Sequence, residues 1–207
     1  MTKLFVACLL FLSLPVLANE QQLLTILKDK QATQQSLSDS IQAGDKRALL
    51  CKYCHGTDGN SKKTSIPNLA AQNTAYLIRQ FELFANGKRQ NKTMNEIARL
   101  LTPADKVNIA LFYGSQKVKP QPQYKPALKA EGERLFSTKC FFCHGTEGHG
   151  KEELPRIAGQ PADYVVQTLS SYSSLINKRA ETAMSRVARA LSDQEIQALA
   201  SYLTSLR

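Results

Sequence analysis

The stretch Cys51-Lys52-Tyr53-Cys54-His55-Gly56 returns 89 residues later as Cys140-Phe141-Phe142-Cys143-His144-Gly145. Two thiols three residues apart on a turn of helix can each add to one vinyl group of a haem. The His directly after the second Cys then points a ring nitrogen at the iron, and C-x-x-C-H is the c-type haem attachment pattern. Two other chemistries use paired cysteines. Two such pairs could supply four thiolates to zinc, and one pair could be a redox dithiol on a thioredoxin-like scaffold. Zinc does not need a His beside the second Cys in both copies, and a thioredoxin-like fold needs βαβ patterning that the sequence lacks. Haem uses every residue of the motif.

The repetition extends well past the motif. Gly59 recurs as Gly148, Tyr76 as Tyr164, and Met94 with Ile97-Ala98 as Met184 with Val187-Ala188, at offsets of 88 to 90. Pro67-Asn68-Leu69-Ala70-Ala71-Gln72 recurs as Pro155-Arg156-Ile157-Ala158-Gly159-Gln160. A fixed period of this kind is the mark of a duplicated unit, so the chain is read as one haem domain in tandem. Thr102-Pro103-Ala104-Asp105 and Ser192-Asp193-Gln194-Glu195 each offer a helix N-cap with an acid in the first turn. Apolar stripes follow both, and no strand alternation is sustained anywhere, so the fold class is all-α.

A haem iron with one His keeps a sixth site, whose occupant decides the chemistry. Of three Met in the chain, Met1 belongs to the leader; Met94 and Met184 remain, 39 and 40 residues beyond His55 and His144. A thioether opposite His favours reduced iron and leaves no room for substrate. Met can also be plain core filler, but equivalent placement in both repeats favours ligation. The predicted iron ligands are therefore His55 with Met94 and His144 with Met184. Pro67 and Pro155 lie 12 and 11 residues after the motif His, where their carbonyls can accept the free Nδ1–H and fix the ring. Tyr76, Arg79, Tyr164 and Lys178 are candidates for haem edges. His149, with Asn60 as its counterpart, reads as an exposed loop residue.

Residues 1–18 read as a cleaved export signal: a positive start at Lys3, an apolar run over residues 4–14, and Val16-Leu17-Ala18 at the cut. Its loss removes Cys8, so the four remaining Cys are the two pairs, which suits the periplasm. The chain has 27 basic and 17 acidic residues; without Lys3 the formal net charge is +9. No nucleic-acid motif accompanies the basic residues, which fit a solvated surface or a docking face for an acidic partner. The expected organisation is a helical arm over residues 19–43, a first haem domain over 44–113, a Pro-rich linker over 114–130 and a second domain over 131–207. The arm is read as a helix packed on the first domain, with partner docking as the alternative.

These motifs resemble the class I cytochromes c, and the tandem arrangement resembles the di-haem cytochrome c4 family. The resemblance covers about residues 44–207. It rests on Cys-x-x-Cys-His-Gly, the Pro-x-Leu/Ile-Ala-x-Gln loop, the following Tyr, and the Met-x-x-Ile/Val-Ala segment. It implies two class I domains related by pseudo-twofold symmetry and two covalently attached haem c groups on Cys51, Cys54, Cys140 and Cys143. It also implies a periplasmic electron carrier, sometimes membrane-associated, between a quinol-oxidising complex or dehydrogenase and a terminal oxidase. Two departures stand out: the long arm, and Ala71 where the second copy has Gly159, which predicts a different course for that loop. The rival readings are a di-haem subunit of a larger dehydrogenase such as a flavocytochrome, and a di-haem peroxidase, which needs an openable iron site that a Met in each repeat would close.

Overall fold

A computed structural model describes residues 15–173 and 182–207. In chain order the helices are α1 (Pro15–Gln31), α2 (Gln34–Arg47), α3 (Leu49–His55), α4 (Thr74–Ala85), α5 (Lys92–Arg99), α6 (Pro103–Gly114), α7 (Lys129–Lys139), α8 (Phe141–His144), α9 (Ala162–Ser173), α10 (Ala183–Arg189) and α11 (Asp193–Ser205). Among the described residues there is no strand, only an isolated bridge between Lys151 and Leu154. The fold is all-α, as expected, and no described helix is long and apolar enough to cross a membrane.

Each half is built around one helix crossing, made possible by a glycine. A Cβ on Gly44 of α2 would lie 2.0 Å from the Asn108 carbonyl of α6, and one on Gly132 of α7 would lie 2.0 Å from the Ala198 carbonyl of α11. With no side chain in the way, the backbones touch and the flanking apolar residues close over them. Leu77, Ile78, Phe81, Val107, Ile109 and Phe112 belong to the first core; Leu135, Phe136, Val165, Ile196, Leu199 and Leu203 belong to the second. The N-cap signals are realised: Thr102 and Asp105, and Ser192 and Glu195, form complete capping boxes on α6 and α11.

The arm packs on the first half. Leu23 of α1 is fully buried in the first core, with Ile26, Leu27, Leu37 and Ile41 packed against it. The boundary expected between residues 43 and 44 falls inside α2, because the Gly44 crossing needs the helix that precedes it. The expected leader lies mostly outside the described residues; α1 starts at Pro15 and runs through the expected cut.

The connector follows both halves. Asn60 donates to the Lys117 carbonyl (2.9 Å) and accepts from the Lys119 N–H (2.8 Å). Further on, the Tyr124 hydroxyl meets Gln197 of α11 and a 3-10 turn, Pro126–Leu128, leads into α7.

The loop after Pro67 takes the same course as its copy, against the expectation from Ala71. Ala71 sits at φ 52° and Gly159 at φ 70°, both left-handed. Ala71 N–H donates to the Tyr113 carbonyl and Gly159 N–H to the Leu203 carbonyl, at 3.0 and 2.9 Å. The first half holds an alanine in a conformation that favours glycine, because the same hydrogen bond fixes the turn.

Candidate haem sites

Both motifs end short helices that are stopped by glycine at positive φ, Gly56 after α3 and Gly145 after α8. This leaves each motif His at the last helical position, turned inward and buried. The loop that follows is anchored alike in both halves. The Gly59 carbonyl accepts from Leu69 and Ala70, and the Gly148 carbonyl accepts from Ile157 and Ala158. That anchoring carries a proline carbonyl to the imidazole: His55 Nδ1 lies 2.9 Å from the Pro67 oxygen, and His144 Nδ1 lies 2.9 Å from the Pro155 oxygen. A carbonyl only accepts, so Nδ1 carries the proton and Nε2 keeps its lone pair. Burial lowers both pKa values, the Arg89 charge adds to this at His55, and the proline contacts act the other way. Two neutral imidazoles are thus aimed and ready to bind a metal.

His55, Met94, His144 and Met184 all line one cavity of about 580 Å³ that spans the two halves. Cys54, Cys140 and Cys143 line it too, while Cys51 packs against the first core. Cys54 and Cys143 are exposed, Cys51 and Cys140 half-buried. Burial raises the Cys51 thiol and pushes Cys140 up to about 11. Among the described residues no group of three or more His, Cys, Asp or Glu could hold a metal ion, so the two pairs do not converge on the four-thiolate zinc site. The remaining surface suits a large apolar ring with polar edges. Leu77, Phe81 and Phe84 line one side, Val165, Leu169 and Leu199 the other. The Tyr113 hydroxyl and Arg156 Nε are buried there without a protein partner, as a group with its own acceptor oxygens would require.

The halves are tied beside this cavity by a pseudo-twofold pair. Gln72 donates to the Arg156 carbonyl (2.9 Å) and accepts from the Arg156 N–H (2.7 Å). Gln160 donates to the Asn68 carbonyl (2.9 Å) and accepts from the Asn68 N–H (3.0 Å). Each glutamine thereby satisfies the backbone of the residue after the other half's histidine-holding proline, so the two sites are positioned relative to each other by buried hydrogen bonds.

The other predicted residues divide. Tyr76 and Tyr164 line the cavity. Arg79 instead pairs with Glu153 across the seam, and Lys178 lies outside the described residues. His149 lies outside the cavity lining and bonds the Arg207 carbonyl at 2.8 Å, consistent with a loop role. The sequence reading missed Arg89, Arg156, Tyr113 and the two glutamines as site residues. Gln72 and Gln160 could have been found from their recurrence; Tyr113 carries no such signal.

The cytochrome c family profile matches residues 129–207. Cytochrome c4 of Thiocapsa roseopersicina is 35% identical over 178 residues, which cover 80% of this chain and 92% of that protein. The thiosulfate dehydrogenase electron acceptor of Thiomonas intermedia is 31% identical over 179 residues, 80% of this chain and 82% of that one. The crystal structure of reduced recombinant cytochrome c4 from Pseudomonas stutzeri superposes with a TM-score of 0.73 at 30% identity, covering 80% of this chain and 98% of that chain. The paired histidines, the shared cavity and the duplicated helix crossing thus belong to a chain that is similar to cytochrome c4 over 80% of its length. The chain belongs to the cytochrome c4 family, all-α tandem cytochromes c that carry covalently attached haem c and transfer electrons.

Proposed function

We propose that the chain is a periplasmic di-haem carrier in which Cys51 and Cys54 hold one haem and Cys140 and Cys143 the other, within domains centred on residues 44–113 and 131–207. His55 with Met94, and His144 with Met184, close the two irons to substrate. The haems supply the chemistry, each iron cycling between ferric and ferrous states. The chain's own residues do the rest. The Pro67 and Pro155 carbonyls fix the imidazoles, the Met side chains favour the reduced state, and Gln72 and Gln160 hold the two centres together. The observation that carries this reading is the equivalent pairing of a proline-held His with a Met around one shared cavity.

Electrons would enter from a quinol-oxidising complex or a dehydrogenase and leave to a terminal oxidase or another acceptor. Similarity to a thiosulfate dehydrogenase electron acceptor favours a dehydrogenase as donor. An acidic partner suits the basic surface, and its rate of reaction should fall as salt rises. Optical titration tests the centres. Two low-spin haems with a Met-to-iron charge-transfer band in the oxidised form are expected, and the Met94→Ala and Met184→Ala variants should each lose part of that band. Rapid carbon monoxide binding or peroxide turnover by the unmodified protein would sink the carrier reading.

A further inference from the structure

Two arginines, one from each half, face the shared cavity without an ion-pair partner among the described residues. Arg89 lies in the loop between α4 and α5, where its N–H bonds the Leu83 carbonyl and its carbonyl accepts from Asn95. The guanidinium stacks on Phe84 with its centre 4.4 Å from the ring centroid. It donates to Gln80 (2.6 Å) and reaches across the seam to the Tyr164 hydroxyl (3.2 Å). These contacts are to neutral groups, and they occupy two of the five donors that a guanidinium offers. Arg156 is about nine-tenths buried, and its Nε has no partner. Among the described residues neither arginine lies within ion-pairing distance of a carboxylate.

A guanidinium left uncompensated in a buried site is costly, and its planar fork matches a carboxylate. The haem brings two carboxylate side chains of its own. The positions are also unequal. Arg156 stands where the first half has Asn68, and the two share the same backbone pairing with Gln72 and Gln160. Asn68 spends its side chain on structure, donating to the Gly159 carbonyl (2.8 Å) and accepting from the Ser61 N–H (2.8 Å). Arg156 delivers a charge to the cavity instead.

We propose that Arg89 and Arg156 seat the carboxylate side chains of the two haems at the seam between the halves, and that their charges raise the two reduction potentials. This rests on the haem reading above. Arg89 acts on the centre of His55, since it is stacked on Phe84 in the part of the cavity lining that the first half supplies with His55 and Met94. Arg156 acts on the centre of His144, since it follows the proline that holds that ring. A fixed cation disfavours the extra positive charge of ferric iron, so its removal lowers the potential.

The test is a redox titration of the haem-loaded protein and its R89Q, R89K, R156Q and R156N variants. The unmodified protein is first checked for two haems and the Met-to-iron band; a missing band would overturn the ligand assignment and leave the potentials to decide the present question. R89Q and R156Q are each expected to shift one reduction equilibrium by about tenfold, or ~59 mV for a one-electron centre. R156N should do the same while copying a residue that the fold already accepts at the related position. R89K, which keeps the charge but loses the fork, should keep most of the potential. Unchanged potentials in the Gln and Asn variants, with both haems bound, would overturn the proposal. So would an equal fall in R89K and R89Q, since that would make Arg89 a packing residue.

Discussion

The two halves repeat the same motif and the same turn hydrogen bonds, yet they differ in charge. Residues 44–113 carry eleven basic and five acidic residues, while residues 131–207 carry nine of each. The contrast continues into the interior. Lys106 of α6 pairs with Glu82 of α4 at 2.5 Å, with their side chains 7% and 15% exposed. The capping boxes align Lys106 with Ile196, which is buried in the second core. One copy closes its helix packing with an ion pair, the other with a hydrocarbon. What the duplication held fixed is the motif, the proline carbonyl that meets its His, the methionine and the glutamine. What drifted is how each half makes its core and its surface.

That contrast can be broken most sharply at the ion pair. Lys106→Ala leaves the Glu82 carboxylate buried beside a cavity and is expected to cost about 4 kcal/mol. The double variant Glu82→Ser/Lys106→Ile copies the second half, where Ser170 and Ile196 occupy the aligned positions. It should recover about half of that loss, because it also removes the buried carboxylate that the single variant leaves without its lysine. Chemical denaturation of the three proteins measures both values. If the double variant is no better than Lys106→Ala, the halves are not interchangeable at this contact.

The arm belongs to the first half alone, so its removal should act on one half. Leu23→Ala empties a fully buried site on α1 and is expected to cost about 3 kcal/mol. Amide exchange should quicken in α1, α2 and α6 before it does in α7 and α11. Uniform loosening of both halves would mean that the arm supports the whole molecule.

The seam tests the symmetry of the pair. Gln72→Ala and Gln160→Ala each remove two buried hydrogen bonds and leave a backbone N–H and carbonyl unpaired, at about 2 kcal/mol apiece. Equal losses, read as midpoint shifts in denaturant, mark a symmetric seam. Gln72 also accepts from the Asn73 N–H at 3.0 Å, so a modestly larger loss for Gln72→Ala reflects that extra contact, and a larger loss for Gln160→Ala would show that the Asn68 segment is the more dependent side.

Much of this was legible in the sequence because haem attachment leaves local marks. Cys-x-x-Cys-His is contiguous, the prolines lie a dozen residues on, and one Met recurs in each copy. Helix caps are equally local: Thr102 and Ser192 announce themselves within four residues. The features that escaped depend on contacts between distant segments. Arg89 looks like any loop arginine until Tyr164 is placed opposite it, 75 residues away. The expected start of the first domain at residue 44 lies inside α2 for a related reason, since the crossing of α6 over Gly44 is a contact between distant segments. Ala71 misled because residue type was taken to fix the turn, when the hydrogen bond to Tyr113 does.

Ala71 offers the finest comparison, because it isolates one methyl group in one backbone conformation. At φ 52° the Cβ crowds the neighbouring carbonyl, a strain of about 1 kcal/mol that glycine does not feel. Ala71→Gly should therefore stabilise the first half, although the freer unfolded chain returns part of the gain. The net expectation is an increase of about 0.5 kcal/mol. The reverse change, Gly159→Ala, introduces the same strain and also places a Cβ 2.6 Å from Val118 of the connector, so it should cost more than Ala71→Gly gains. If the two changes are equal and opposite, the connector yields freely at Val118 and the turn alone decides. If Gly159→Ala costs several times more, the second half needs its glycine for the approach of the connector as well as for the turn.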